Sequence, residues 1–223
     1  MNKRLAVLHT SFVFINVEPV FKNLFAELLP DVQIIDFVDS DVLAAVNRDG
    51  GINQSHIRRM VHLAQAAEDA GVDLIFSACS SLGPSMDVAR KMVDTPIIKI
   101  DDPMTQKAVE TAKNIGVMAT VPTTLGPTID LLNQQAEIQA KPIQVKPHLV
   151  EGAWNVLLSG DRPRYENMVL EGALTLAPAV DIIVLAQASM SRLAPMLADK
   201  TRLQVLSSPR LAVEYVRSRF AAM

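Results

Sequence analysis

The sequence predicts an α/β protein of two pseudo-symmetric halves, each built on a parallel sheet with helices packed against it. Short apolar runs alternate with longer amphipathic segments along the whole chain, as they do in the strand and helix units of parallel sheets. Several of these units recur at a nearly constant offset, which indicates an internal repeat. Eight strands are predicted, near residues 4–9, 32–36, 73–78, 96–100, 115–119, 143–147, 181–186 and 203–206.

The repeat becomes visible when the two halves are aligned by their strands. Residues 5–10 correspond to residues 115–120, and the apolar strand that ends at Cys79 corresponds to the one that ends at Gln187. The offset is 110 residues for the first pair and 108 for the second. Similar elements in the same order at a slowly drifting offset indicate two related α/β halves.

The domain boundaries follow from this alignment. We place the first half at residues 1–101, completed by the C-terminal helix 207–223, and the second half at 102–206, with the linker near 101–114. If the halves face each other about a pseudo-twofold axis, the carboxyl ends of both sheets meet at one cleft. Ligands of open α/β sheets bind at such edges, so the active site is predicted in the cleft between the two domains.

Helix starts are marked by residues that satisfy free backbone amides. Asn53 precedes an amphipathic segment at residues 56–70, which Gly71 ends. Asp101-Asp102-Pro103 and Ser207-Ser208-Pro209 each place a capping residue type before a proline. Both segments are therefore predicted to begin helices, the first with an aspartate as its cap.

Composition excludes several classes of function. A net charge of −3 without a basic cluster, and 4% aromatic residues, give no footprint for nucleic acid. No apolar run reaches the ~18 residues of a membrane span, and the amino terminus lacks the features of a secretory signal. One cysteine forms no internal disulfide, and the four histidines show no metal-ligand spacing. A cytoplasmic protein without metal or membrane partner is expected.

The stretch Val72 to Gly83 is an apolar strand that delivers the only cysteine, Cys79, to its carboxyl end. A thiol there, beside a helix amino terminus, would have a lowered pKa, as catalytic cysteines do. The alternative is a buried cysteine that acts as a small hydrophobic residue. Position and following sequence leave both interpretations open.

Four loops would meet in the predicted cleft, and small residues and hydroxyls dominate them. Backbone amides and hydroxyls of this kind suit a carboxylate, although Ser and Thr are also ordinary helix caps. Gly-rich phosphate signatures are absent from the sequence, so nucleotide binding is not supported. His9 is either a general base or a hydrogen-bonded structural residue. The predicted substrate-binding residues are His9, Thr10, Ser11, Ser80, Ser81, Thr120, Thr123, Thr124, Ala188 and Ser189.

This arrangement resembles the aspartate/glutamate racemase superfamily, which includes hydantoin racemases, maleate isomerases and arylmalonate decarboxylases. Residues 78–81, Ala-Cys-Ser-Ser, are similar to its first-half motif. Residues 185–190 are similar to its second-half motif, Leu-Gly-Cys followed by Thr or Ala, with Gln187 in place of the cysteine. The resemblance spans nearly the whole chain and implies a cofactor-independent enzyme that forms a homodimer.

The glutamine limits the chemistry that the resemblance implies. Racemases of this superfamily use one cysteine to remove a proton and the other to return one to the opposite face. A carboxamide is neither acidic nor basic near neutral pH, so Cys79 and Gln187 do not form a conventional two-base pair. As the predicted catalytic residues, Cys79 would act as proton donor after decarboxylation, as nucleophile or as single base, while Gln187 would hydrogen-bond a substrate oxygen or an enolate. The superfamily's single-cysteine decarboxylases carry their thiol in the second half, so they are not a direct template.

Three functions are consistent with these residues. The first is an isomerase or lyase, such as a decarboxylase, that acts through Cys79 at the carbon next to a carboxylate of a small organic or amino acid. The second is a non-catalytic protein of the same fold that binds a small carboxylate. The third, a structural two-domain module, fits least well with cleft loops so rich in small polar residues.

Overall fold

The computed structural model describes residues 3–17 and 20–223 of the chain. It divides into two compact units: the first runs to Ile100 and includes Pro209–Met223, and the second is Asp101–Ser208. Each unit contains a four-stranded parallel sheet with helices packed against it. The predicted α/β class with two parallel-sheet domains is confirmed, while the cleft between them stays a prediction.

In the first unit, the strand order is β2-β1-β3-β4 and every neighbouring pair is parallel. Helices connect successive strands, as parallel pairing requires. The strands are β1 (Arg4–His9), β2 (Gln33–Val38), β3 (Leu74–Ser77) and β4 (Ile97–Lys99). A π-helical turn (Val13–Val17) and the helices α1 (Val20–Leu28), α2 (Val42–Arg48), α3 (Gln54–Asp69) and α4 (Gly83–Ala89) lie between them.

The second unit repeats this plan with the order β6-β5-β7-β8, again entirely parallel. Its strands are β5 (Asn114–Ala119), β6 (Gln144–Leu149), β7 (Ile182–Leu185) and β8 (Gln204–Ser207). Its helices are α5 (Asp102–Thr111), α6 (Pro122–Ile138), α7 (Ala153–Leu158), α8 (Arg162–Leu176) and α9 (Ala194–Thr201). The C-terminal helix α10 (Ser208–Ala222) follows and returns to the first unit, where Arg210 pairs with Glu27 of α1 at 2.7 Å.

The central strands of each sheet are buried on both sides, which explains their continuous apolar sequences. In the first unit, Ala6, Leu8 and Ile75 face a cluster formed with α2, α3 and α4. Phe76 points to the opposite side and packs edge-on against Phe21 of α1, with ring centroids 5.6 Å apart. Residues that alternate along β1 and β3 therefore belong to two separate layers of core.

The helix starts agree with the sequence in position but differ in chemistry. Asn53 accepts hydrogen bonds from the backbone of Ser55 and His56, and the His56 ring accepts one back from the Asn53 amide. This reciprocal cap confirms the predicted start of α3. Asp101 lies at the predicted start of α5, yet its side chain does not make the cap hydrogen bond, so the predicted aspartate cap is wrong.

Candidate active site

Cys79 lies just beyond the carboxyl end of β3, in the middle of the first sheet. The Ala78 amide donates to the Leu8 carbonyl at 3.1 Å, so pairing with β1 continues past the last residue of the strand. Cys79 itself is extended, with φ −128° and ψ 114°, and precedes the 3₁₀ turn Ser80–Leu82 that leads into α4. The thiol is half-buried against the α3 and α4 side of the core and is not in a disulfide.

Gln187 occupies the same place in the second sheet. The Ala186 amide donates to the Met118 carbonyl at 2.9 Å, which repeats the Ala78 bond to Leu8. Gln187 is also extended, with φ −142° and ψ 136°, and precedes the 3₁₀ turn Ala188–Leu193 and then α9. The structural correspondence of residues 79 and 187 is thus present in strand pairing, backbone angles and following turn.

The Gln187 side chain is fixed by the loop between β5 and α6. Its Oε1 accepts from the Thr120 amide at 2.5 Å, from the Thr120 hydroxyl at 3.1 Å and from the Val121 amide at 3.1 Å. A backbone N–H donates only to an acceptor, so the oxygen and nitrogen of the carboxamide are assigned by chemistry. We call these three hydrogen bonds from Thr120 and Val121 to Gln187 the Gln187 anchor.

The predicted substrate-binding hydroxyls fall into two groups by burial. Thr10, Ser81, Thr120 and Thr124 are buried, and the predicted binding residue Ala188 is buried as well. Ser11, Ser80, Thr123 and Ser189 are half-buried.

The hydrogen bonds of these hydroxyls distinguish caps from open groups. Thr124 donates its hydroxyl to the Val121 carbonyl at 2.9 Å, inside the first turn of α6. Ser11 accepts a hydrogen bond from the Val13 amide at 3.4 Å. Ser189 differs, because its Oγ is buried and makes no hydrogen bond within the described part of the chain. A buried hydroxyl without a partner is costly and is most often explained by a ligand or a water.

His9 faces the opposite side of its sheet from Cys79. It is buried against Phe21, and its Nε2 lies 3.0 Å from Asp36 Oδ1. Burial lowers the pKa of His9 although Asp36 acts in the opposite direction, so the neutral ring donates its Nε2 hydrogen to the carboxylate. His9 also lines a cavity of about 580 Å³ beneath α1. The structure therefore separates His9 from the thiol.

Two contacting residues, Val121 and Asp36, were not predicted from the sequence. Val121 contributes its backbone amide, which no side-chain pattern reveals. Asp36 was a detectable signal, because it is a charged residue inside the apolar strand sequence Ile-Ile-Asp-Phe-Val. Within residues 3–17 and 20–223, no group of three or more His, Cys, Asp and Glu side chains has an arrangement that could hold a metal ion.

Comparisons with known proteins identify the family of the chain. The model of the Asp/Glu/Hydantoin racemase family matches residues 20–216. The chain belongs to the Asp/Glu/Hydantoin racemase family. A search of curated proteins finds no match.

Solved structures of racemases, and of one putative racemase, share the fold at low sequence identity. A glutamate racemase from Francisella tularensis, crystallised with D-glutamate, superposes with a TM-score of 0.76 at 15% identity, over 99% of this chain and 82% of that one. An allantoin racemase from Klebsiella pneumoniae gives 0.72 at 21% identity, over 99% and 88%. A putative Asp/Glu racemase from Yersinia pestis gives 0.74 at 16% identity, over 99% and 100%. The two-unit α/β fold and the family are those of racemase-type enzymes.

No helix in the described part of this family member is both long enough and apolar enough to cross a membrane. The predicted cytoplasmic location and the dimer stay predictions.

Proposed function

We propose that the protein is a cofactor-independent enzyme that acts at the carbon next to a carboxylate of a small organic or amino acid. Cys79 would carry the proton transfer or the covalent step, as an isomerase or a lyase requires. The observation that carries this proposal is the structural correspondence of Cys79 with Gln187. The loop beside Gln187 directs hydrogen-bond donors at that side chain, and we infer that the equivalent loop directs donors at the thiol.

The second unit supplies a template for the surroundings of the thiol. Thr10 relates to Cys79 as Thr120 relates to Gln187, since the register of β1 with β3 equals that of β5 with β7. In the second unit, Thr120 directs both its amide and its hydroxyl at the side chain of residue 187. We infer that Thr10 stabilises negative charge on Cys79 in the same way, which would lower the pKa of the thiol.

A single thiol supports three balanced reactions. As a base, the thiolate removes the proton beside the carboxylate, leaves an enolate and returns the proton to the same carbon. In a decarboxylation, loss of carbon dioxide leaves the enolate, and the thiol donates the proton that completes the product. As a nucleophile, the thiolate adds to an activated carbon–carbon double bond and is expelled after rotation about the resulting single bond. Gln187 takes no proton in any of these, because its carboxamide does not titrate near neutral pH.

In each unit, the turn after the third strand would offer amides and hydroxyls that suit a carboxylate. Ser189 supports this assignment, since its buried Oγ makes no hydrogen bond within the described residues and suits an acceptor oxygen. Ser80 and Ser81 occupy the corresponding turn after Cys79. Oxyanion stabilisation by such fixed donors is commonly the largest single contribution to catalysis of this type.

Proton exchange in deuterated water tests the proposal. The protein is incubated with malonate, substituted malonates, aspartate and glutamate, and NMR follows deuterium uptake beside the carboxylate or release of carbon dioxide. Cys79→Ala should remove this activity and leave the thermal unfolding midpoint and carboxylate binding essentially unchanged. Met92→Ala, an exposed control, should leave the activity intact. Full activity in Cys79→Ala would contradict single-cysteine chemistry.

The second candidate is a non-catalytic carboxylate-binding protein, and the glutamine at position 187 favours it. The pH dependence of Cys79 alkylation separates the two. An active enzyme should show a thiol pKa clearly below the ordinary value of about 8.5. An ordinary thiol pKa, together with no exchange in any carboxylate tested, would favour the binding protein.

A further inference from the structure

Gln187 is held by specific hydrogen bonds and does not merely fill space. It is only 8% exposed, and its Oε1 already accepts three hydrogen bonds within the Gln187 anchor. Its Nε2 donates to no protein group in the described part of the chain. One end of the carboxamide is therefore saturated, and the other end has two N–H groups to offer.

The anchor also prevents the carboxamide from reversing. A rotation that exchanged oxygen and nitrogen would place an N–H group against the Thr120 and Val121 amides, and two donors would then face a donor. The two backbone hydrogen bonds would be lost at the same time, at a cost of about 1–3 kcal/mol for each amide left unsatisfied, while the Thr120 hydroxyl could turn and accept instead. Gln187 therefore presents a donor and never an acceptor on its open side.

We propose that Gln187 is a specificity-determining residue, a fixed hydrogen-bond donor that selects ligands with an acceptor oxygen at this position. This deepens the proposed function and rests on it for the ligand class, a carboxylate or an enolate-forming carbonyl. The Gln187 oxygen accepts the hydrogen bonds of the two amides that precede α6, so these amides bind the protein's own side chain instead of the substrate. Gln187 therefore offers the substrate an uncharged N–H donor and no acidic or basic group.

Two substitutions of nearly equal shape test the anchor without any ligand. In Gln187→Glu, a carboxylate oxygen accepts the same three hydrogen bonds, so the unfolding midpoint at pH 7 should stay within about 2 °C of the wild type. NMR should place the pKa of the new carboxyl more than about one unit below the ordinary 4.3. In Gln187→Met, the three donors lose their acceptor, and the midpoint should fall by roughly 2–8 °C.

A matched control separates the anchor from a simple change of charge. Gln134→Glu introduces the same charge on an exposed face of α6, and its carboxyl should titrate near the ordinary value. If Gln187→Glu unfolds as early as Gln187→Met, or its carboxyl titrates like that of the control, the anchor is overturned.

Ligand binding tests the donor. NMR titration with malonate, succinate and glutamate should show binding to the wild type and a loss of at least about tenfold in Gln187→Glu, which places a negative charge and no N–H toward the ligand. Equal binding by the two proteins would overturn the selection of acceptor oxygens. Binding of none of the three probes by the wild type would overturn the proposed carboxylate function together with the donor role, while the stability and pKa results would still decide the anchor.

Discussion

Two strands of this protein, β3 and β7, are followed by similar backbone but by different side chains. Cys79 follows the first strand and Gln187 follows the second. β3 and β7 occupy corresponding positions in their sheets and continue their pairing one residue beyond the strand. Each is followed by a 3₁₀ turn, Ser80–Leu82 in the first unit and the longer Ala188–Leu193 in the second. Cys79 is half-buried and titratable, whereas Gln187 is buried and locked by the Gln187 anchor. The comparison shows that a repeated fold fixes where a functional side chain lies and leaves its chemistry to the residue itself.

The two units also differ at three other matched positions. Ala6 on β1 corresponds to Gly116 on β5, and His9 at the end of β1 corresponds to Ala119. An aspartate precedes the third strand of each unit, Asp73 in the first and Asp181 in the second, but the hydrogen bonds that they accept differ in number. Each difference gives a prediction in which one unit serves as the control for the other.

The largest effect is expected when the first unit is given the residue of the second. Cys79→Gln should lower turnover of any active carboxylate by about 10²-fold or more, because general acid–base catalysis by one side chain contributes roughly that factor. The exchange assay described above gives the measurement. Retained exchange would show that residue 79 is not the acid or base, and would break the comparison with position 187.

The next effect concerns packing beneath the sheet of the second unit. A Cβ added at Gly116 would lie 2.5 Å from Leu176 Cδ2 and 3.0 Å from Leu176 Cγ, so Gly116→Ala should destabilise the protein by about 1–3 kcal/mol. The reverse change in the first unit, Ala6→Gly, should cost only about 1 kcal/mol, mainly through backbone entropy. Urea unfolding of both variants decides this, and equal losses would contradict the proposed contact between β5 and α8.

A smaller effect follows from the titration of His9, which has no counterpart in the second unit. Because burial lowers the pKa of His9 in the folded protein, the unfolded chain binds the proton first as the pH falls. The stability that comes from the neutral ring should therefore decrease below about pH 6.5, by no more than about 1.4 kcal/mol per pH unit.

The variant His9→Gln isolates this contribution. Its unfolding free energy should fall less steeply than that of the wild type between pH 7.5 and pH 5.5, as urea titrations at several pH values would measure. The exposed His62 provides the control, since His62→Gln should keep the wild-type slope. A His9→Gln slope equal to that of the wild type would mean that the burial of His9 has no bearing on the acid stability of the protein.

The smallest effect is expected at the amino-terminal ends of β3 and β7. Asp181 accepts from the Asn114 amide at 2.7 Å, the Asn114 side chain at 3.1 Å and the Lys113 amide at 3.3 Å, whereas Asp73 accepts from the Arg4 amide at 2.7 Å. Asp181→Asn should lower the unfolding midpoint slightly, and Asp73→Asn less. The hydrogen bond from the Asn114 amide, helped by the Lys113 amide and the Asn114 side chain, lowers the pKa of Asp181. Its contribution should accordingly be present above the ordinary carboxyl pKa and disappear as the pH falls through the lowered value.

The sequence was sufficient for the plan of the fold, because apolar strands and capped helices leave local signals. Asn53 before an amphipathic segment predicted α3. The apolar run before Cys79 predicted β3 and placed Cys79 near the carboxyl end of that strand. The aspartate cap of α5 was predicted from residue type alone and is wrong, since a cap depends on the direction that the Asp101 side chain takes. Residue type predicts where a helix starts better than it predicts which atom satisfies its amides.

The contacts of the site were less predictable, because they join residues far apart in sequence. His9 was grouped with the residues around Cys79, yet alternation along β1 directs its ring to the α1 side, where Asp36 holds it. Counting residues in the strand would have given that direction. By contrast, every residue except proline has a backbone amide, so the sequence does not mark that of Val121 as a contact of Gln187.

The sequence by itself determined that two similar α/β halves exist, and that the single thiol has a glutamine as its counterpart. Both conclusions depend on local periodicity and on residue identity, which a sequence contains in full. Only the tertiary structure decided which end of the Gln187 carboxamide is bound and which is available. That choice depends on three donors 66 or 67 residues away in the chain, and pairing of β5 with β7 is the physical reason that they meet.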